Sequence, residues 1–318
     1  MTRILPPPIL LHAMMLPPSD AVPRRSSGAA SPARWRRAAR IVHAYLVLPH
    51  AVPVLVVLGT TAAFAMLAAD GVPAWESLAR LLLAMLGGQL AIGAINEVAD
   101  AELDAVSKPN KPIPAGYVSV RAALVLACVS LLVMLWFSAG FGLPSLLLCA
   151  LGTGAGLAYD LWFKRTLFSW LPYLIALPLL PVWVWTAIAP AGFDPRLLAL
   201  YPLGAFAVVG VHLSQALPDT VGDRAAGIRS LSSSLGERRA IVTCWLATLS
   251  TPLLAVAAAP LLVDQLGVVW LAAMVVALLV GLDIALYTVR RRLGVMACFP
   301  CVAVSTAVMG LGWVLALR

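Results

Sequence analysis

The sequence predicts an all-α membrane protein, a polytopic bundle of about nine transmembrane helices. Its 318 residues are 62% hydrophobic and only 11% charged, which is far too apolar for a soluble domain of this size. Apolar runs long enough to cross about 30 Å of bilayer hydrocarbon recur along the chain. The basic residues between these runs fall mostly on one predicted side, as in polytopic membrane proteins.

The order of elements follows from where the apolar runs begin and end. Residues 1–40 are rich in Pro, Ser and Arg, and repeated prolines interrupt any signal-peptide core, so we expect a disordered cytoplasmic tail. Residues 41–318 form one membrane domain. Its spans are predicted at 41–68, 78–98, 120–140, 143–158, 169–189, 197–217, 240–260, 265–288 and 296–317. The run at 143–158 is short, so the count could differ by one.

The orientation of these spans follows from Lys and Arg near their ends. With a cytoplasmic N-terminus, the opposite side keeps only Arg80, Arg196 and Arg318. The formal charge of +8 therefore indicates positive-inside topology rather than nucleic-acid binding, for which no aromatic residues interleave the basic ones. We expect a multi-pass protein of the cell (inner) membrane whose partner is the lipid bilayer.

Two acidic segments, NEVADAELD at 96–104 and SQALPDTVGD at 214–223, sit where an apolar run meets a basic cytoplasmic loop. Polar residues recur in them at every fourth position, namely Asn96, Asp100 and Asp104 in the first and Gln215, Asp219 and Asp223 in the second. Each trio would line one stripe of a continuing helix. Two facing stripes make a carboxylate cage that suits Mg²⁺, which completes its shell with phosphate oxygens.

Basic residues follow both acidic segments and also occupy the loop at 159–168. Lysines beside carboxylates make sense where one site holds both a cation and an anion, and a metal-bridged diphosphate is such a ligand. The predicted anion-binding residues are Lys108, Lys111, Tyr159, Arg165 and Arg224, with Lys164 as a catalytic cation.

A simpler interpretation is that these are ordinary loop charges that set topology. Asp and Glu contribute little to topology, however, and carboxylates toward a helix centre cost about 2.5 to 3.5 kcal/mol each. Two acid-rich segments, each extending a span and each followed by basic residues, therefore favour a functional site. The segments also resemble weak internal repeats, as expected when two halves of a bundle supply matching walls.

Other polar and aromatic residues are open to more than one interpretation. Tyr173, Trp183 and Trp185 could stabilise an allylic cation at up to about 2 kcal/mol each, although such aromatics are more often packing residues. Gln89 could be a cavity polar group or a helix–helix hydrogen bond. Asp283 has no evident partner, and the histidines are too dispersed to propose as ligands. The five cysteines are interpreted as packing residues.

The motif-bearing segments resemble those of the UbiA-type intramembrane prenyltransferases. The resemblance is carried by NEVADAELDAVSKPNKPIPAG at 96–116, YDLWFKRT at 159–166 and LPDTVGDRAAGIRSL at 217–231. Glu97 replaces the family's Asp, which preserves charge and adds a methylene. Gln215 stands where some members carry a third acid, and Tyr159 and Lys164 are one residue further apart than in the commonest form.

The resemblance implies a nine-helix bundle around a cavity, with a cytoplasmic cap over a Mg²⁺-diphosphate site. It implies metal ligation by Asn96, Asp100, Asp219 and Asp223, and a catalytic set of Asp100, Asp104, Asp219, Asp223 and Lys164. The implied activity is Mg²⁺-dependent cleavage of an isoprenyl diphosphate and transfer of its prenyl group to a quinone precursor or other lipophilic acceptor. A terpene cyclase using the same ionisation is the alternative. A transporter or channel is a third possibility, but transport favours acids near the midplane.

Overall fold

The computed structural model describes residues 51–225 and 227–318. Within these ranges every regular element is helical, and nine segments are long and apolar enough to cross a membrane. The predicted fold class and helix count are therefore confirmed for this part of the chain. The expected tail at 1–40 and the first ten residues of the first predicted span lie outside the described residues.

The long helices are joined by turns and by short helical pieces. In chain order the elements are α1 (Ala51–Ala68), α2 (Trp75–Ser107), α3 (Val120–Ala139), α4 (Leu143–Ala158), a π-turn (Tyr159–Phe163), α5 (Leu171–Ile188), two 3₁₀ turns before α6 (Pro190–Gly192 and Pro195–Ala199), α6 (Leu200–Ala216), the 3₁₀ turn after α6 (Leu217–Asp219), α7 (Thr220–Ala225), α8 (Leu231–Leu235), α9 (Glu237–Leu262), α10 (Leu266–Val289) and α11 (Arg291–Ala316). Among these, α7 and α8 are too short to span and lie between α6 and α9.

The main departure from the predicted bounds is the length of α2. The apolar pattern ends at residue 98, but the helix continues to Ser107. The extra turns carry carboxylates, which end a hydropathy pattern without ending a helix. The acidic residues of the first segment therefore lie on one continuous helix, as their fourth-residue spacing requires.

Close contact between α2 and its neighbours depends on small residues. A Cβ atom at Gly87 would lie 2.7 Å from the Ser130 carbonyl oxygen of α3, and one at Gly88 would lie 2.8 Å from the Thr153 hydroxyl of α4. Small residues let membrane helices approach until backbone atoms touch, and dispersion then holds them together. This packing fixes α2, which carries the first acidic segment, against α3 and α4.

A second polar cluster joins α9, α10 and α11 inside the bundle. Asp283 is buried and accepts a 2.7 Å hydrogen bond from the Trp245 indole, so the expectation that it has no evident partner is wrong. The Cys244 and Cys298 sulfurs lie 3.6 Å apart as free thiols. Cys128 is exposed, and the other four cysteines are buried. Burial of these four agrees with their interpretation as packing residues.

Candidate active site

A cavity of about 820 Å³ lies between α1, α2, α5, α6, α9 and α11. Its polar end is formed where α2, the π-turn and the 3₁₀ turn after α6 meet. Ionisable residues line that end, namely Asp100, Lys108, Lys111, Asp160, Lys164, Asp219 and Asp223. The remainder of the wall is mainly aliphatic, so the cavity offers a charged head site and an apolar body.

The two acidic segments, more than a hundred residues apart in sequence, meet at this polar end. Lys108 donates a 2.5 Å hydrogen bond to Asp219 Oδ1 and so joins the end of α2 to the 3₁₀ turn. Asp223 lines the same cavity one turn further on. The predicted convergence of the first and third loops is therefore supported by a direct contact between Lys108 and Asp219.

Lys164, which follows the π-turn, reaches across to α2. Its ammonium group donates to Asp100, and the Asn96 amide oxygen lies 3.5 Å away. Burial lowers the pKa of Lys164, but the negative charges of Asp100 and Asp160 raise it more, so its net pKa lies above the ordinary value. Lys164 is therefore a permanent positive charge at the head of the cavity.

Lys111 holds two acids that turn away from the cavity. Its ammonium group lies 2.7 Å from Glu97 and 2.7 Å from Asp104, and both acids are buried. Burial lowers the pKa of Lys111, but its hydrogen bonds to Asp104 and Glu97 and their charges raise it above its usual range. Asp104, predicted as a catalytic acid, therefore lies behind the cavity wall, whereas the four predicted metal ligands line the cavity.

Lysine is confined to this site throughout the sequence. The chain contains three lysines, Lys108, Lys111 and Lys164, and all three line the cavity, while every other permanent cation is an arginine. Lysine carries a compact charge on a flexible stem, whereas arginine presents a fixed fork. The sequence contained this signal, but counting Lys and Arg together concealed it.

Arg165 and Arg224 lie outside the cavity wall. Arg165 donates to the Ala99 carbonyl oxygen at 3.0 Å, and its guanidinium lies 3.9 Å from Asp100. Arg224 is exposed on α7. Their predicted contact with an anion would therefore require movement of the side chains, and their roles stay predictions.

The structure adds an acid that the sequence pattern did not select. Asp160 is 6% exposed, lines the cavity, and accepts a 2.7 Å hydrogen bond from the Asn96 amide nitrogen. Its role is hidden in the sequence because its partner Asn96 lies 64 residues earlier. An acid placed at the end of an apolar span was the available signal.

The extra residue between Tyr159 and Lys164 is absorbed by the π-turn. The Lys164 amide donates to the Tyr159 carbonyl oxygen at 2.8 Å, an i to i−5 hydrogen bond in place of the i−4 bond of an α-helix. A π-turn accommodates one inserted residue within a helix and is frequent at functional sites. Both ends of the motif can therefore face the cavity despite the longer spacing.

Three rings stand edge to face in the wall below the charged groups. Tyr159 lies 5.1 Å from Tyr173 and 5.9 Å from His212, measured between ring centroids. Tyr173 donates to the Gln215 amide oxygen, and the buried His212 ring pairs with the Ser169 hydroxyl at 2.8 Å. The histidine was missed because its neighbours come from other elements of the chain.

The aromatic residues proposed for cation stabilisation separate into two groups. Tyr173 lines the cavity, and so does Gln89. The Gln89 amide nitrogen donates to the Met85 sulfur at 3.7 Å. Trp183 donates to the Ser145 hydroxyl at 3.0 Å, and Trp185 packs edge to face on a neighbouring ring in the core. Neither tryptophan lines the cavity.

The residues that could hold a cation all supply oxygen. Asn96, Asp100, Asp219 and Asp223 line the cavity together, and amide and carboxylate oxygens are the ligands that Mg²⁺ prefers. Across residues 51–225 and 227–318, no three acidic, His or Cys side chains converge closely enough to hold a metal by themselves. The lysines lie among these acids and neutralise them.

Comparison with known proteins agrees with this geometry. The chain matches the UbiA prenyltransferase family over residues 56–297. It is 30% identical to a digeranylgeranylglyceryl phosphate synthase of Natronomonas pharaonis, across 66% of this chain and 75% of that protein. It is 28% identical to a 4-hydroxybenzoate octaprenyltransferase of a Marinomonas species, across 59% and 67%.

The fold agrees as well. A UbiA homolog from Archaeoglobus fulgidus bound to GPP and Mg²⁺ superimposes with a TM-score of 0.64 at 17% identity, covering 85% of this chain and 99% of that one. The resemblance seen in the three sequence motifs is thereby confirmed, and the family match spans well over half of the chain. The chain belongs to the UbiA prenyltransferase family.

Proposed function

We propose that the protein is an intramembrane enzyme that cleaves an isoprenyl diphosphate with Mg²⁺ and transfers the prenyl group to a lipophilic acceptor. The observation that carries this proposal is the single cavity with paired acids and lysines at one end and an aliphatic wall beyond. A ligand with an anionic head, a bound cation and an apolar tail fits such a cavity. GPP with Mg²⁺, bound by the homolog from Archaeoglobus fulgidus, is a ligand of this kind.

The donor set fits the metal. Asn96, Asp100, Asp219 and Asp223 offer hard oxygen ligands from two facing segments. When bound, Mg²⁺ would be held by these four side chains and would supply positive charge that stabilises the departing diphosphate. Lys108 pairs with Asp219 and Lys164 pairs with Asp100, so binding of metal and substrate would exchange one set of charge pairs for another.

The lysines would then change partners. Lys108 and Lys164 line the polar end of the cavity, and once released from Asp219 and Asp100 they would be free to pair with the diphosphate oxygens. Their positive charge favours heterolytic cleavage of the allylic carbon–oxygen bond, in which the electron pair leaves with the diphosphate. Tyr159 and Tyr173 lie on the wall below, where a ring face or hydroxyl dipole can stabilise the allylic cation. The acceptor's nucleophilic atom forms the new bond to carbon and loses its proton.

We assign the site to the cytoplasmic face of the cell membrane. The polar end of the cavity lies beside the loops that carry most Lys and Arg, which are retained on the cytoplasmic side. The acceptor class stays open between an aromatic quinone precursor and another lipophilic alcohol or phenol. Relatives named for a glyceryl phosphate product and for 4-hydroxybenzoate show how widely acceptors vary among similar chains.

The deciding experiment incubates the purified protein with Mg²⁺ and geranyl, farnesyl or geranylgeranyl diphosphate, with and without candidate acceptors. Diphosphate release should rise at least about tenfold, a barrier change of about 1.4 kcal/mol, when the matching acceptor is added. A cyclic terpene formed from one diphosphate alone would replace transfer by cyclisation. Absence of release from every donor, with and without a lipid extract as acceptor source, would overturn the proposal.

A further inference from the structure

The Asn96–Asp160 hydrogen bond determines which way the Asn96 amide points. The amide nitrogen donates a 2.7 Å hydrogen bond to Asp160 Oδ1 and therefore faces that carboxyl group. The amide oxygen then faces the opposite way. On that side lies the Lys164 ammonium group, 3.5 Å from the oxygen. By holding the amide nitrogen, Asp160 leaves the Asn96 side-chain oxygen, which can bind a cation, facing Lys164.

The second oxygen of Asp160 has no partner. Asp160 is 6% exposed, and its Oδ2 has no hydrogen-bond donor within reach although the residue lines the cavity. A buried carboxylate oxygen without a donor is costly, and in a residue that lines the cavity it points to a donor that arrives with the ligand. Mg²⁺ dehydrates reluctantly and keeps several of its waters. A metal-bound water is a donor of the required kind.

We propose that Asp160 is a positioning residue that orients the Asn96 amide oxygen toward the bound metal and accepts a hydrogen bond from a metal-bound water. This inference rests on the proposed metal-diphosphate site and extends it beyond the residues that ligate the cation. Partners of this sort fix the orientation of metal ligands, and their loss weakens metal affinity by about 10- to 100-fold. The π-turn contributes by placing Asp160 and Lys164 on either side of Asn96.

The test measures metal binding directly. Mn²⁺, which also favours oxygen ligands, is titrated into detergent-solubilised protein that contains geranyl S-thiodiphosphate, a slowly ionising analogue, and free Mn²⁺ is followed by electron paramagnetic resonance. The variant Asp160→Asn offers an amide that no longer dictates the direction of Asn96. We expect its Mn²⁺ affinity to fall by about 10- to 100-fold, with circular dichroism and thermal unfolding monitored in parallel.

The chain supplies a matched control and a rescue. Asp283 is a buried acid of the same kind, 1% exposed and bonded through one oxygen while the other is unpartnered, but it lies off the cavity. Asp283→Asn should leave Mn²⁺ affinity unchanged. In the double variant Asn96→Asp/Asp160→Asn, the amide at position 160 donates a hydrogen bond to the carboxylate at position 96, so the two residues exchange roles. It should recover at least about tenfold of the lost affinity, which a merely structural defect would not.

The outcomes separate this inference from the proposed function. If the unmutated protein binds no Mn²⁺ with the analogue, the metal-diphosphate site itself is overturned and the role of Asp160 with it. If the unmutated protein binds and Asp160→Asn binds within about twofold, only the role of Asp160 is lost. Should Asp160→Asn fail to fold, the exchanged double variant decides: affinity near that of the unmutated protein supports the pair, and lost affinity in a folded double variant contradicts it.

Discussion

Each lysine at the mouth of the cavity pairs with at least one carboxylate, and the burial of each pair determines what a substitution does. Lys108 and Asp219 are each more than 40% exposed, so their pair contributes little to stability. Lys111 and its two acids are much more buried. Asp219 can therefore be replaced with little effect on folding, whereas replacement of Glu97 or Asp104 should destabilise the protein.

Asp219→Ala and Asp100→Ala should each abolish diphosphate release. Asp219→Ala should do so with little loss of stability, whereas Asp100→Ala should also lower the thermal unfolding temperature, because it removes the partner of the largely buried Lys164. Each removes a carboxylate that lines the cavity and faces the proposed metal. Chelation by EDTA should have the same effect, and added Mg²⁺ should reverse it. Asp264→Ala is the control, since Asp264 pairs with Arg196 at the opposite membrane face. Release by purified Asp219→Ala at the unmutated rate would exclude a site built from both segments.

Glu97→Ala should affect stability more than catalysis. Glu97 is buried and takes one of the hydrogen bonds of Lys111, but it lies outside the cavity wall. Losing one partner of a buried charged group costs about 1 to 3 kcal/mol. We expect a lower thermal unfolding temperature together with diphosphate release well above that of Asp100→Ala. Equal loss of activity in the two variants, with unchanged unfolding temperature, would contradict this assignment.

The stabilising effect of Lys111 should persist far into the alkaline range. Its pKa in the folded protein lies above that of the unfolded chain, so its contribution is full below about pH 10.4 and is lost as pH rises through the raised value. The difference in unfolding temperature between the unmutated protein and Lys111→Met should therefore be constant from pH 7 to 9. Lys108→Met is the exposed control. A difference that disappears within that interval would show that burial prevails and lowers the pKa.

At the scale of elements, the best-defined feature is the π-turn at Tyr159–Phe163. Deleting Leu161 should convert the π-turn to α-helix and keep Tyr159 and Lys164 near their present places, so diphosphate release should survive. Inserting one alanine after Leu161 should rotate Lys164 by about 100° and reduce release at least tenfold. Circular dichroism checks that both variants stay folded. Equal activity of the insertion and deletion variants would show that this spacing is not critical.

The limits of sequence-based prediction also appear at this scale. Apolar runs located every span within the described residues, because hydrocarbon thickness sets their length. The same pattern predicted the end of α2 too early. The helix continues through Asp100 and Asp104, whose charges are paired with lysines. Fourth-residue spacing identified acids that share a helix face. It could not find Asp160 or His212, because their partners lie on other elements and only packing brings them together.

At the scale of the whole molecule, orientation in the membrane is the property that charge distribution predicts. Residues 108, 164, 229 and 291 should all be accessible from the cytoplasmic side. Single cysteines introduced there into a cysteine-free background can be treated with an impermeant maleimide in intact cells and in inverted vesicles. A cysteine at position 265, between α9 and α10, is the control for the opposite face. Labelling of positions 108 and 229 in intact cells would reverse the assigned orientation.

The confinement of lysine to the cavity mouth has a consequence for chemical modification. Apart from the N-terminal amine, amine-selective acylation can touch this protein only at Lys108, Lys111 and Lys164. Lys108 should react first, because its side chain is 42% exposed, against 20% for Lys111 and 25% for Lys164. Acetylation would remove a charge opposite a carboxylate each time. The number of acylated ε-amines, counted by mass spectrometry, should therefore fall when a ligand occupies the mouth of the cavity. Acetylation of these lysines should in turn lower the rate of diphosphate release.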